Sequence, residues 1–238
     1  MSTCTRASTA IIASLAAVLL AAAPGAAKPR PAPYAPHIDP AEFVARVDHP
    51  YFPLVPGTRF VYRETAGGKT TTNEVSVLSD TKRIMGVTCT VVHDVVRDGD
   101  RVLEDTYDWY AQDKAGTVWY FGEDTKEFSP KGHASTEGSW EAGVGGAQPG
   151  IFMPADPTPG PAYRQEYSRG TAEDMGQIVA ANQSVEVPAG TYAGCVRTKD
   201  WSLLEAGYDF KWYAKGVGFV RSQSAAREVS ELISVTLP

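Results

Sequence analysis

Residues 104–127, EDTYDWYAQDKAGTVWYFGEDTKE, set two Trp, three Tyr and Phe121 among seven carboxylates. That mixture supports three kinds of chemistry. Trp109, Tyr110, Trp119, Tyr120 and Phe121 offer flat apolar contact, and a few acids beside them can orient a ligand's polar groups. Paired carboxylates can instead bind a hard cation or run glycoside hydrolysis. The bland use is a structural hairpin, because turn acids and cross-strand aromatics are ordinary sheet chemistry. The candidate acids are Glu104, Asp105, Asp108, Glu123 and Asp124.

Spacing weakens the ion and hydrolase uses. DGDRVLED does not follow the alternating ligands and central Gly of an EF-hand loop. Glu104 and Asp108 share a strand face but lie about 13 Å apart, beyond glycosidase carboxyl separations. A cross-strand partner such as Glu123 keeps hydrolysis open. His37, His49, His93 and His133 show no metal-ligand spacing, and EGSWEAG is not a nucleophile elbow. Phosphate loops and dinucleotide fingerprints are missing as well. No catalytic residue, metal ligand or cofactor is assigned.

Strands must position these groups. Asp98-Gly99 signals a hairpin turn. On strand 101–111, Leu103, Asp105, Tyr107 and Trp109 share one face, and Val102, Glu104, Thr106, Asp108 and Tyr110 the other. The first is the more apolar, so it is expected to face the core, with Asp105 buried against a partner. The next strand, 117–123, carries bulk on both faces.

The chain reads as written twice. PGTRFVYRE at Pro56 is echoed by PGPAYRQE at Pro159, GVTCTVV by GTYAGCVRT, and DWYAQDKAGTVWY by KWYAKGVGFVR. Gly57 to Gly160 spans 103 residues, Cys89 to Cys195 106, Trp109 to Trp212 103 and Gly116 to Gly218 102. Offsets this consistent mark an internal repeat, about 56–122 and 159–222. A single meander exposes an apolar face and an edge, so the two copies should join. The expectation is a mainly β fold: a duplicated antiparallel sheet curled into an open or half barrel. One short N-terminal helix should start at the Asp39 cap, with Phe43 and Val47 on its apolar stripe.

Between the copies, residues 132–160 hold seven Gly and four Pro. Trp140, Phe152 and Met153 argue for an ordered crossover, read as a partial lid over one face. These three join the aromatic residues as candidate ligand contacts.

Residues 1–27 read as a secretory signal peptide: Arg6, the run IIASLAAVLLAAA, then PGAA. The run is too short to span a bilayer, and Cys4 precedes it, so a lipid anchor on the mature chain is not expected. Residues 28–36 form a Pro-rich leader expected to be disordered, and 37–238 one β domain. Loss of Arg6 takes the net charge from −6 to −7, with no basic run, which argues against nucleic acid as a partner. No transmembrane segment is expected in the mature chain, and its location is periplasmic or extracellular. Cys89 and Cys195 could pair or stay separate buried thiols.

HPYFPLVPGTRFVY, GVTCTVV, the 104–127 stretch, STEGSWEAGVGGAQPGIFMPADP and YRQEYSRGTAEDM together resemble a family of exported bacterial proteins without an assigned activity. The WYA…G.G.V endings also resemble secreted half-barrel proteins related in fold to periplasmic lipoprotein carriers. These resemblances imply export and a β fold, and no chemistry. The functional expectation is a non-enzymatic protein binding a small, partly apolar or acyl-chain ligand on a concave β face. The alternatives are a carbohydrate-active hydrolase using the hairpin acids, and a structural envelope protein without a ligand.

Overall fold

A computed structural model describes residues 34–130 and 132–238. The expected signal peptide and most of the Pro-rich leader lie outside the described residues. The chain opens with one 3-10 turn, Pro40–Glu42, where Asp39 accepts the Ala41 amide. The expected helix goes no further. Phe43 bridges to Asp113, and Val47 enters a small hairpin, β1 (Val47–His49) with β2 (Phe52–Leu54).

The first copy follows as β3 (Arg59–Ala66), β4 (Lys69–Ile84), β5 (Val87–Asp98), β6 (Arg101–Gln112) and β7 (Val118–Phe128). The crossover holds β8 (Ala134–Ser135), β9 (Trp140–Glu141) and β10 (Gln148–Met153). The second copy is β11 (Tyr163–Arg164), β12 (Glu166–Tyr167), β13 (Asp174–Val187), β14 (Gly190–Ser202), β15 (Asp209–Ala214) and β16 (Gly218–Ser224). β17 (Val229–Thr236) ends the fold. β3 to β7 pair antiparallel in chain order, and β11 and β13 to β16 do the same, while β12 pairs with β10 instead. Cys89 and Cys195 sit on β5 and β14, and Trp109 and Trp212 on β6 and β15. Both thiols are buried and free, and burial pushes the Cys89 thiol up to about 12.

Strand order around the sheet is β11-β13-β14-β15-β16-β17-β3-β4-β5-β6-β7-β10-β12. The two ends of this order are neighbours in the chain. Tyr163–Arg164 pair with β13, and Pro149 and Gln148 of β10 pair with Glu166 and Tyr167. One five-residue stretch thus joins both edges, and the half barrel expected from sequence closes nearly completely. Closure removes the exposed edges that two separate meanders would present. Tyr34 braces this seam: its hydroxyl donates to the Pro149 carbonyl at 3.1 Å, and its ring lies 5.4 Å from Tyr167. The leader is therefore anchored from Tyr34 onward, so the last three residues of the stretch expected to be disordered, 34–36, are held in place.

The crossover does not form a lid. β8, β9 and β10 pair with β7 and extend the wall. The β1–β2 hairpin plugs one end of the barrel instead. Gln112 and Asp48 exchange hydrogen bonds at 2.7 and 2.9 Å, which ties the plug to β6.

Candidate functional site

Inside the barrel is a cavity of about 560 Å³. Strand alternation decides what lines it. On β6 the inward residues are Glu104, Thr106, Asp108 and Tyr110. This reverses the face expected from sequence. The apolar-looking set faces out and finds specific partners there. Lys82 Nζ stands 3.3 Å from the Trp109 ring centroid, Tyr107 stacks on His93 at 4.3 Å, and Asp105 meets His93 Nε2 at 2.8 Å. Asp105 has the partner expected of it but is only partly buried.

A β-bulge sets the next strand. Asp108 opposes Glu123 and Tyr110 opposes Tyr120, leaving Phe121 and Gly122 against Trp109. The extra residue breaks the two-residue period, so Tyr120 and Glu123 both point inward. Gly122 permits this with φ +125°, and any side chain there would begin 2.2 Å from the Trp140 carbonyl oxygen.

The cavity is graded along its axis. At the plugged end Phe52 packs against Phe152, Tyr110 and Tyr213, with ring centroids at 4.4, 5.2 and 6.4 Å. Toward the other end each wall turns acidic: Phe60, Tyr62 then Glu64 on β3; Tyr110, Asp108 then Glu104 on β6; Tyr213, Lys211 then Asp209 on β15. That end reaches solvent between residues 204–208 and 225–226, where Leu204 and Tyr208 are exposed.

Burial away from water penalises carboxylates and raises their pKa. Desolvation pushes Glu104 up to about 7, against a hydrogen bond from Thr106 at 3.0 Å. It pushes Asp108 up to about 6, although the Tyr120 hydroxyl donates to it at 2.5 Å. Asp94 is raised by burial and then by the charges of Asp108 and Glu104; Asn73 donates to its Oδ2 at 3.3 Å. Glu64, Glu123, Glu166, Asp174 and Asp209 are raised too, in each case first by burial. Lys211 is the lone basic residue of the lining among the described residues. Burial alone would lower its ammonium, but the neighbouring Asp200, with Tyr213 and Asp209, holds it above its usual range. Its Nζ lies 3.0 Å from Asp200 Oδ2.

Of the residues singled out from sequence, Tyr110, Tyr120, Phe152, Glu104, Asp108 and Glu123 converge on the cavity. Trp140 is buried edge-on to Tyr120 at 5.5 Å, behind the wall. Trp109 lies outside under Lys82, Phe121 packs against Phe43, and Met153 is fully buried opposite Val118. Trp119 donates through Nε1 to Asp113 at 2.9 Å, and Asp124 is exposed. Sequence reasoning missed Phe52, Tyr62, Glu64, Asp94, Glu166, Lys211 and Tyr213. The repeat carried the signal for two pairs. The Pro-Gly phrases, the second one residue shorter, align Glu64 with Glu166, and the Trp offset of 103 aligns Tyr110 with Tyr213.

Two solved structures are similar in outline. One is a protein of Bacteroides fragilis with a YmcC-like fold, inferred to be exported: 19% identity, 79% of this chain and 99% of that one covered, TM-score 0.47. The other, from Parabacteroides distasonis and inferred to be a lipoprotein, matches at 13% identity over 78% of this chain and 98% of its own, TM-score 0.43. No protein-family model and no curated protein matches the sequence.

Proposed function

We propose that this is an exported, non-enzymatic protein that holds a small, partly apolar molecule or acyl chain inside the barrel. The supporting observation is the cavity of about 560 Å³ with its aromatic floor, Phe52, Tyr110, Phe152 and Tyr213. That volume lies within the range of small-molecule sites, which combine apolar lining with a few polar groups. Export rests on the leader sequence. The test is titration with the uncharged dye N-phenyl-1-naphthylamine. Saturable one-to-one binding is expected, weakened at least several-fold by Phe152→Ala. Binding that is absent, or untouched by Phe152→Ala, overturns the assignment.

A second reading has one observation behind it. Asp108 and Glu123 are direct cross-strand neighbours on the inner face, both with raised pKa. Such neighbours fall near the roughly 5 Å carboxyl spacing of retaining glycosidases. They stand side by side on one wall, however, whereas glycoside cleavage needs carboxyls flanking the bond. Hydrolysis of 4-nitrophenyl glycosides that is lost in Glu123→Gln would favour the enzyme.

A further inference from the structure

Resting on the binding role above, we propose that the ligand is an amphipathic organic cation: its protonated amine lies among Asp94, Glu104, Asp108 and Glu123, and its apolar body on Phe52, Tyr110 and Phe152. The grading of the cavity supports this directly. A molecule with one apolar and one charged end fits a space that is aromatic at its plugged end and acidic toward its mouth. An anionic or neutral acyl chain would leave the acidic end unmatched.

Polar groups left without partners point the same way. Asp200 is 6% exposed and its Oδ1 has no hydrogen-bond partner among the described residues; the same holds for Asp94 Oδ1. Gln165, also 6% exposed, lines the cavity with its Nε2 unmet. Buried polar atoms are costly to leave unsatisfied. On the amine's wall the Asp94 oxygen seeks a donor, and the Gln165 amide seeks an acceptor, so an amine carrying a hydroxyl or carbonyl oxygen would satisfy both kinds.

The arrangement suits an organic cation better than a metal ion. Among the described residues no three His, Cys, Asp or Glu side chains converge closely enough to hold a metal. The carboxyls are spread along the wall, whereas a hard metal ion needs several oxygens converging within about 2.6 Å.

Charge coupling follows. The amine's wall is faced by Glu64 from β3, Glu127 from β7 and Glu166 from β12. Across the cavity stand Asp174, Asp200, Asp209 and Lys211. His93, which bears on Asp108, lies on the outer face beside Asp105. With the cavity empty, protonation limits the repulsion among these acids. A bound cation does the same work, so binding must release protons and strengthen as pH rises through the 6–7 range of Asp108 and Glu104.

The experiment compares decylammonium, decanol and decanoate, three probes with one tail, displacing N-phenyl-1-naphthylamine from the full chain. Decylammonium is expected to bind at least tenfold more tightly than decanol at pH 8, with decanoate weakest. That advantage should shrink several-fold by pH 5. Glu104→Gln with Asp94→Asn should narrow the gap between decylammonium and decanol, with an unchanged circular-dichroism spectrum showing that the variant is folded; an undiminished gap in the folded variant overturns the cation site. Decanol or decanoate binding as tightly as decylammonium overturns the cation and leaves the apolar-ligand role standing. If neither the dye nor any probe binds, both fall.

Discussion

The two copies share their strands and differ in their charge. Counting by the Trp offset of 103, Tyr110 in β6 corresponds to Tyr213 in β15, and both form the cavity floor. One turn of the alternation away, Asp108 corresponds to Lys211. The first copy therefore lines its wall with carboxyls alone, eased by Asn73, Thr106 and Tyr120. The second sets its acids around an ammonium. The repeated part is the apolar scaffold, which closure requires of both halves. The divergent part is the inward polar set, which closure does not constrain.

The sharpest way to break this comparison is to remove the ammonium. Lys211→Met leaves Asp200, almost wholly buried, without its counter-charge. Truncating one partner of a buried ion pair is strongly destabilising, and Lys211 keeps some solvent contact, so about 3–4 kcal/mol is expected in urea denaturation. The corresponding change in the first copy, Asp108→Asn, should cost under about 1 kcal/mol or stabilise, since it deletes a carboxylate that burial already disfavours. Equal losses would show that the two walls are not differently built.

The pH dependence tests one carboxyl of the first copy's wall next. Folding raises Glu104 from 4.5 to about 7, so between those values the folded chain binds more protons than the unfolded one. Stability from this group is then full below about pH 4.5 and is lost as pH rises through about 7. The loss amounts to about 2–3 kcal/mol after allowing for solvent screening. Denaturation midpoints of the ligand-free protein should fall over that range, and Glu104→Gln should flatten the fall. A parallel fall in Glu104→Gln would place the cause elsewhere.

The bulge gives a smaller contrast. Both copies carry it one step from the floor tyrosine, between Tyr120 and Glu123 and between Phe219 and Ser222. Glycine is needed only in the first, at Gly122, where the β9 backbone presses on the strand. The second has Arg221, whose neighbour is the regular strand β17. Gly122→Ala should cost about 1–3 kcal/mol through backbone strain and displace β9, seen as faster amide exchange over 139–142. Arg221→Ala should leave exchange there unchanged.

Much of this fold is legible in the sequence because turn residues and repeated phrases carry it: Asp98-Gly99, the Pro-Gly starts and the paired Trp all fall where the strands require them. The site is only half legible, for a physical reason. Hydrophobic patterning assumes that the apolar face meets the core. A barrel around a cavity reverses this, placing Glu104 and Asp108 inside while Trp109 is covered outside by Lys82. The crossover misleads in a related way. Trp140 and Phe152 do approach Tyr120, but as parts of added strands and the inner lining, because β7 still has an edge to pair.

The smallest expected effect tests that reversal from outside. Asp105 and His93 form a 2.8 Å pair with side chains 36% and 27% exposed. Had Asp105 faced a dry core, Asp105→Leu would strand a buried partner and cost about 1–3 kcal/mol. On the outer face, water takes over the His93 ring when the carboxylate goes, and ion pairs this exposed contribute about 0–1 kcal/mol. Asp105→Leu should therefore change the urea midpoint little and leave dye binding unaltered. A loss above about 2 kcal/mol would return Asp105 to the core and undo the assignment of Glu104, Asp108 and Tyr110 to the cavity, because neighbouring strand residues cannot share a face.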